Sequence, residues 1–288
     1  MKLVTAGLAS VVLLLGCAAS PTQAATVPAV PDTQFRALEK SYDATLGIYA
    51  VDTGTGETVK YHADRRFAYA STIKALQAGV LFKQRTDRQL EKVVHYDESD
   101  LLAHAPITKE HVNTGMTLRA LADASVRYSD NTAANLLFHE LGGPKKVDQA
   151  LERMGDRTTQ MNRIEPELNE ATPGDRRDTS TPRALASDLR KLVLGDVLDH
   201  RDRAALTDLL KRNTTGDKLI RAGVPAGWEV GDKTGSGGYG TRNDIAVIWP
   251  PKSAPIVLAV LSNRDEEDAS YDDQLIADAA EVVIGQLT

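Results

Sequence analysis

The order of the predicted elements is the feature that most limits the folds open to this sequence. Strand patterns lie at 46–51, 57–61, 228–234, 241–249 and 256–263. From about 65 to 212 apolar residues recur at helical spacing, and a further helix is predicted at each end, over 32–42 and 272–287. Because the strands must pair with one another, the simplest solution is a five-stranded antiparallel sheet, flanked by the N- and C-terminal helices, with an all-helical lobe inserted. The predicted fold class is therefore α+β, an α/β sandwich, with a ligand cleft between two lobes.

This order divides the chain into predicted parts. An α/β lobe is expected from 32–64 and 213–288, and the helical lobe from 65–212. Helical periodicity is lost over about 163–181, where prolines, a glycine and many charges predict a long loop. An irregular stretch of that length inside a compact domain is usually functional.

The first 24 residues are predicted to be an export signal, and 25–31 a tether. Lys2 precedes an apolar stretch over 3–16 that is too short to span a bilayer permanently. The segment 14–17 resembles a bacterial lipobox, in which Cys17 would carry a lipid anchor. The alternative is simple cleavage after Ala24. In both cases the protein is expected in the periplasm or outside the cell. It has no disulfide there, because Cys17 is the only cysteine.

Charge and histidine spacing argue against several classes of function. The formal net charge is −6 with no basic block to offset it, which argues against a nucleic-acid partner. The six histidines show no metal-ligand spacing, so neither a metal nor another cofactor is predicted. No feature suggests a protein partner, and the sequence predicts a monomer whose only membrane contact would be a lipid on Cys17.

A hydroxyl and an ammonium group lie three residues apart at the start of a predicted helix, in Ser71 and Lys74. At that spacing both side chains share one helix face, and the helix N-terminus favours an anionic nucleophile. Lys74 could accept or relay the hydroxyl proton if burial lowers its pKa. Taken alone, the pair is more typical of a capping serine followed by a solvated lysine than of a catalytic pair.

A second polar group, Ser129-Asp130-Asn131, interrupts two predicted helices. Ser129 could protonate a leaving nitrogen, and Asn131 could donate to a substrate amide carbonyl. The alternative is a helix-capping cluster, since all three residue types are good caps.

A third group, Lys233-Thr234-Gly235-Ser236, follows a predicted strand, with a turn expected over 235–240. Lys233 and Thr234 could hold a substrate carboxylate, and Gly235 would leave the strand edge open for a ligand. The backbone N–H groups of Ser236 and Ser71 could form an oxyanion hole. The alternative is a hairpin turn with a solvated lysine.

Together and in this order, the three groups strongly resemble the class A serine β-lactamases, which share them with penicillin-binding proteins. The resemblance runs from the hairpin before Ser71 to the final helix. It implies a β-lactamase/transpeptidase-like fold. It also implies hydrolysis of the β-lactam amide bond of penicillins and cephalosporins through a serine acyl-enzyme, and hence antibiotic resistance.

Glu165 and Asn169 favour a β-lactamase over a penicillin-binding protein. They lie in the irregular segment that resembles the omega loop of class A enzymes. By that resemblance Glu165 is the general base for the deacylating water, and Asn169 helps to hold the water. Without such a base an acyl group on Ser71 would remain trapped. Whether Lys74 or Glu165 takes the first proton is left open.

The resemblance assigns further roles around the cleft. Arg163 and Asp178 would form a salt bridge at the neck of the loop. Arg242 would bind the substrate carboxylate beside Lys233, because some relatives place that charge where this chain has Leu219. Arg221 would be structural. His104 would flank the cleft entrance, where relatives often have an aromatic residue.

Three other functions share part of this pattern. A D-Ala-D-Ala peptidase or penicillin-binding protein has the first three groups but lacks the Glu165–Asn169 segment. A non-catalytic β-lactam sensor would need a transmembrane or signalling segment, which we do not expect beyond the export signal. A cytosolic serine glutaminase of related fold is disfavoured by the same signal.

Overall fold

The computed structural model describes residues 32–288. Within that range the α-helices are α1 Asp32–Tyr42, α2 Ile73–Gln84, α3 Asp87–Leu90, α4 Leu118–Arg127, α5 Asn131–Leu141, α6 Pro144–Arg153, α7 Pro182–Val193, α8 His200–Lys211 and α9 Asp273–Leu287. The strands are β1 Thr45–Asp52, β2 Thr58–Tyr61, β3 Phe67–Ala68, β4 Val93–Val94, β5 Met116–Thr117, β6 Thr179–Ser180, β7 Glu229–Gly237, β8 Thr241–Trp249 and β9 Ile256–Asn263.

A five-stranded antiparallel sheet forms the centre of the molecule, in the order β2-β1-β9-β8-β7. The last strand, β9, lies between β1 and β8, with Tyr49 opposite Ala259 and Asp244 opposite Val260. The sheet therefore joins the two ends of the chain, as the order of the predicted elements required.

Both faces of the sheet are covered, which makes the fold a sandwich. Side chains alternate along β8, so that Ile245 joins a core with Leu76 of α2, while Ala246 joins a second core with Phe35 of α1 and Ile276 of α9. The predicted fold class, with its antiparallel sheet between terminal helices and an inserted helical region, is confirmed.

Side-chain caps set the first residue of several helices in the inserted region. Thr117, Asp130 and Thr181 each accept a hydrogen bond from a backbone N–H in the first turn of α4, α5 and α7. The capping interpretation of the Ser129-Asp130-Asn131 group is therefore correct for Asp130.

The inserted region also contains two short sheets that the sequence did not predict. Strand β3 pairs with β6, and β4 pairs with β5. Strands of two residues are too short to show periodicity, so pattern analysis cannot find them. The β3–β6 pair matters for the cleft, because it joins the segment before Ser71 to the segment that leaves the long loop.

The turn predicted over 235–240 is confirmed for 238–240 but begins too early, because β7 continues to Gly237. Gly235 pairs with Asn243 and Ser236 with Arg242, so this glycine-rich stretch is an edge strand. Pairing with β8 overrides the low strand propensity of glycine. Helix α2 likewise begins at Ile73, and Ser71 lies in a 3₁₀ turn that leads into it.

The division into two lobes stays a prediction. Helix α7 belongs to the segment 65–212, yet it packs against β1, β8 and β9 of the sheet. The predicted signal, tether and lipid anchor lie outside the described residues. Within 32–288, no helix is both long and apolar enough to cross a membrane.

Candidate active site

Ser71 lies on a tight turn between β3 and α2, with only 8% of its surface exposed. The residue before it, Ala70, has a φ of 46°, a left-handed conformation that costs an alanine free energy and persists where the surroundings enforce it. Asn243 of β8 donates to the carbonyl groups of Ala68 and Tyr69 at 2.8 and 3.2 Å and so fastens the turn to the sheet. Ser71 Oγ donates to Glu165 Oε1 at 3.2 Å.

Lys74 is fully buried directly below Ser71. Its Nζ lies 2.9 Å from Glu165 Oε1 and donates to Asn131 Oδ1 at 2.6 Å and to the Ser129 carbonyl at 2.8 Å. Burial lowers the pKa of the Lys74 ammonium, and the Glu165 carboxylate, which raises that pKa, offsets only part of the effect. Lys74 therefore links the Ser71 turn to Ser129 and Asn131 and to the loop that carries Glu165, which lie far apart in the sequence.

Ser129 and Lys233 are in direct contact with each other. Lys233 Nζ donates to Ser129 Oγ at 3.1 Å and to the Thr234 carbonyl at 2.9 Å. Burial, and after it the charge of Lys74, lowers the pKa of Lys233 from 10.5 to about 7. The Ser129 hydroxyl thus lies between two lysines, since Lys74 Nζ is 3.4 Å from it.

The edge strand β7 passes very close to the Ser71 turn. A Cβ atom placed on Gly235 would lie 3.0 Å from the Tyr69 carbonyl oxygen and 3.1 Å from the Ser71 nitrogen. A side chain there would push the Ser71 turn away from β7 by a few tenths of an ångström, which gives a physical reason for Gly235 beyond an open strand edge. Ser236 is the next residue along this strand, where it pairs with Arg242.

Glu165 is held in the cleft by contacts to both its side chain and its backbone. Asn169 Nδ2 donates to Glu165 Oε2, and the carboxylate is 2% exposed. Asn135 of α5 accepts from the Glu165 N–H at 2.9 Å and donates to the Glu165 carbonyl at 2.8 Å. Asn135 was not among the predicted site residues, although its position four residues after Asn131 places it on the same helix face.

The neck of the long loop contains the ion pair that the resemblance implied. Arg163 Nε lies 2.5 Å from Asp178 Oδ2, and Arg163 also pairs with Glu170. Asp178 Oδ1 accepts from the backbone N–H of Arg163 at 3.0 Å and from the Tyr69 hydroxyl at 3.0 Å. The neck is therefore tied to the turn that carries Ser71.

The far side of the loop rests on two glycines at the end of the edge strand, Gly237 and Gly238. The Gly238 N–H donates to the Asn169 carbonyl at 2.9 Å, and a Cβ atom on Gly237 would lie 2.6 Å from that oxygen. The loop that carries Glu165 is thus held between α5 and the end of β7.

Arg242 and His104 lie at the margin of this arrangement. Arg242 Nε donates to Asp273 Oδ1 at 2.7 Å, and its guanidinium lies 4.6 Å from the centre of the Tyr271 ring. Its charge therefore has a partner in the free protein, beside Ser236. His104 is exposed, and its carbonyl accepts from the Asn131 N–H at 2.9 Å.

The structure brings seven of the predicted residues into one hydrogen-bonded group and leaves the others near it. The seven are Ser71, Lys74, Ser129, Asn131, Glu165, Asn169 and Lys233. Thr234, Gly235, Ser236 and Arg242 follow along β7 and β8. Among residues 32–288 no cluster of three or more His, Cys, Asp or Glu side chains is placed to hold a metal ion.

The chain that forms this site matches known proteins over nearly its whole length. The model of the β-lactamase enzyme family matches residues 31–287. A β-lactamase of Amycolatopsis lactamdurans is 59% identical over 269 residues, which cover 93% of this chain and 89% of that protein. β-Lactamase 3 of Bacillus cereus is 54% identical over 99% of this chain and 94% of its own.

A solved structure shows the same fold. The class A β-lactamase of Clostridium kluyveri DSM 555 superposes with a TM-score of 0.87 at 50% identity, covering 88% of this chain and 97% of that chain. The resemblance to the class A serine β-lactamases that the sequence motifs indicated is confirmed. The chain belongs to the β-lactamase enzyme family, and within it to the class A enzymes that hydrolyse β-lactam antibiotics.

Proposed function

We propose that this chain opens the β-lactam ring by acylating Ser71 and then hydrolyses the ester with the help of Glu165. The observation that carries the proposal is the position of Glu165 Oε1, which contacts both Ser71 Oγ and Lys74 Nζ. A carboxylate in that position can accept a proton from a water molecule that approaches one face of an acyl group on Ser71.

In acylation, Ser71 Oγ attacks the lactam carbonyl carbon and loses its proton. The hydroxyl hydrogen bond runs from Ser71 to Glu165, while Lys74 Nζ is bonded to Asn131 and the Ser129 carbonyl, which favours Glu165 as the proton acceptor. The carbonyl oxygen becomes an anion, which the N–H groups of Ser71 and Ser236 would stabilise.

Collapse of that intermediate breaks the lactam C–N bond. The leaving nitrogen takes a proton from the Ser129 hydroxyl, which Lys233 holds, and Lys74 Nζ, 3.4 Å away, replaces that proton. Lys74 then takes the former Ser71 proton from Glu165 across their 2.9 Å contact, so that Glu165 is again a carboxylate in the ester intermediate. The product is an ester on Ser71, with Asn131 placed to donate to the amide carbonyl of the substrate side chain.

In deacylation, a water gives a proton to Glu165 and its oxygen attacks the ester carbonyl. The Ser71–acyl bond breaks, and Glu165 passes that proton to Ser71 Oγ, which lies 3.2 Å from its Oε1, so that both groups return to their starting state. Asn169, bonded to the second oxygen of Glu165, would help to hold the water. General base catalysis of this kind contributes about 10²- to 10⁴-fold to rate.

The substrate carboxylate would lie along the edge strand. Lys233, Thr234, Ser236 and Arg242 supply a cationic and hydroxyl-bearing surface there. Because Arg242 is bonded to Asp273 in the free protein, we propose that it acts on the substrate through its charge and its remaining guanidinium N–H groups. His104 would touch substituents at the rim.

The test is to separate acylation from deacylation in Glu165→Ala. Wild-type protein should hydrolyse penicillin G with many turnovers and with no loss of activity in EDTA. Glu165→Ala should accumulate a covalent adduct of the mass of protein plus penicillin, with deacylation slowed by about 10³-fold. Glu167→Ala, which removes an exposed carboxylate from the same loop, is the matched control and should keep turnover.

Two results would contradict the proposal. One stoichiometric burst from wild-type protein would indicate a penicillin-binding protein instead. Activity lost in EDTA would exclude the metal-free serine mechanism.

Export, a lipid anchor on Cys17 and a monomeric state are further proposals that rest on the sequence. Residues 1–24 have the charge and apolar pattern of an export signal. A periplasmic or extracellular location suits an enzyme whose substrates are antibiotics that arrive from outside the cell.

A further inference from the structure

A chain of hydrogen bonds runs from a buried ion pair to the hydroxyl of Thr234. Arg221 Nε donates to Asp232 Oδ1 at 2.6 Å, and Asn213 Nδ2 donates to Asp232 Oδ2 at 2.7 Å. Thr215 Oγ1 lies 2.9 Å from Asn213 Oδ1 and 2.6 Å from Thr234 Oγ1. Asp232, Asn213 and Thr234 are each at most 3% exposed, so the chain is shielded from water over most of its length.

The orientation of the Asn213 side chain is fixed from both ends. The backbone N–H of Thr215 can only donate, and it lies 3.1 Å from Asn213, so the atom that faces it must be the amide oxygen. The amide nitrogen then faces Asp232, which is paired with the Arg221 guanidinium and accepts. Thr215 therefore always has an acceptor on its inner side.

The two threonine hydroxyls can be arranged in two ways, because each has one proton. In the inward arrangement Thr234 donates to Thr215, which donates to Asn213, and only lone pairs of Thr234 face the cleft. In the outward arrangement Thr215 donates to Thr234, and the Thr234 proton is free for a ligand. In both arrangements Asn213 Oδ1 accepts a hydrogen bond from the Thr215 backbone N–H. Reversing the two hydroxyls therefore does not leave that oxygen without a donor.

We propose that Thr215 is a positioning residue that presents the Thr234 hydroxyl as a donor to the substrate carboxylate. This inference rests on the proposed function, in which Thr234 binds that carboxylate. A carboxylate repels lone pairs and attracts donors, so its arrival selects the outward arrangement. Thr215 then supplies the hydrogen bond that Thr234 Oγ1 accepts while Thr234 donates.

The base of the chain is tightly packed, which keeps Thr215 in place. A Cβ atom on Gly216 would lie 2.0 Å from Asp232 Oδ2, so the backbone after Thr215 rests directly on the ion pair. Arg221 also donates to the carbonyl groups of Leu210 and Lys211 at 3.1 Å, at the end of α8. A change at Thr215 that keeps its shape should therefore act on the hydroxyl chain and leave the fold intact.

The first experiment measures acylation and deacylation separately, by stopped-flow kinetics with penicillin G. Thr215→Val, which keeps the shape and removes the hydroxyl, should lower the acylation efficiency by about fivefold to tenfold, the effect of one lost hydrogen bond to a charge-binding group. The deacylation rate should not change, and Thr215→Ser should restore acylation. Thr214→Val is the matched control, since Thr214 is exposed and its hydroxyl, like its N–H, donates to the Arg127 carbonyl and to no other group among residues 32–288.

A double-mutant cycle with Thr234→Val decides whether Thr215 acts through Thr234. In the Thr234→Val background, Thr215→Val should have no further effect on acylation. Additive losses, or normal acylation in Thr215→Val alone, would overturn the inference. If Thr234→Val itself acylates normally, the proposed role of Thr234 is wrong instead. Thr215→Ala replaces Thr215→Val throughout if the valine variant does not fold.

Discussion

The two lysines of the site, Lys74 and Lys233, are both buried, but their surroundings differ. Lys74 contacts the Glu165 carboxylate, whereas Lys233 bonds to a hydroxyl and a carbonyl and has no carboxylate within salt-bridge distance among residues 32–288. Burial and the neighbouring Lys74 charge lower the pKa of Lys233 to about 7. The cation expected to bind the substrate is therefore only part charged near neutral pH in the free enzyme.

This gives a prediction for pH dependence at the scale of one residue. Below about pH 7 Lys233 is an ammonium that can pair with a carboxylate, and that form is lost as the pH rises through about 7. We expect kcat/KM for penicillin G to fall as the pH rises through this value, by up to about tenfold per pH unit. Lys233→Arg, whose charge persists, should move the fall to higher pH. If kcat/KM falls at the same pH in both proteins, the fall is caused by a group other than Lys233.

At the scale of elements, the placement of Glu165 depends on helix α5 as much as on its own loop. Asn135→Ala would leave the Glu165 N–H and carbonyl without these partners. Because small misplacements of a catalytic group are costly, we expect deacylation to slow by about tenfold to 100-fold, with a smaller effect on acylation. Stopped-flow kinetics and mass spectrometry of the adduct measure both steps.

Asn162→Ala is the control for this prediction. Asn162 is exposed at the start of the same loop, and its side chain makes no hydrogen bond within 32–288. Equal rates in Asn135→Ala and wild-type protein would show that the rest of the loop places Glu165 unaided.

The sequence predicted long elements well and short ones poorly, for a physical reason. Strand β1 was expected over 46–51 and spans Thr45–Asp52, because its apolar pattern extends over a full strand. The two-residue strands and the extension of β7 to Gly237 are set by contacts between distant segments. Motif residues were found because their order along the chain is distinctive. Asn135 and Thr215 were not, because their partners come from other elements.

At the scale of the whole molecule, stability should depend on a carboxyl pair far from the cleft. Asp188 of α7 is fully buried near Asp156, and burial, followed by the effect of the Asp156 carboxyl, raises the pKa of Asp188 to about 8, although the Lys191 ammonium 3.2 Å away acts in the opposite direction. Asp156 also accepts from the Thr158 and Thr159 N–H groups at 2.7 and 3.1 Å, on the segment that leads to the long loop. The folded protein therefore holds a proton there that the unfolded chain releases.

The sign of the effect follows from that difference. Between pH 4 and pH 8 the folded state binds more protons at Asp188, so this group lowers the free energy of unfolding as the pH rises. Asp188→Asn mimics the protonated form, so it should raise the melting temperature at pH 8 but hardly at pH 4. The expected rise at pH 8 is about 2 to 4 °C for each kcal/mol gained in the free energy of unfolding. Asp196→Asn, an exposed site with the same charge change, should show no such trend. Equal trends in both variants would contradict the prediction.

The position of β9 in the middle of the sheet also has a consequence for when the protein can fold. A chain is synthesised from its N-terminus, so β1 and β8 emerge before the strand that must lie between them. Until β9 arrives, neither neighbour has its full set of backbone partners, and the apolar faces of the sheet remain open to solvent. Long-range pairing of this kind is slow compared with helix formation. The nascent chain therefore completes its sheet only after nearly all of it has been made.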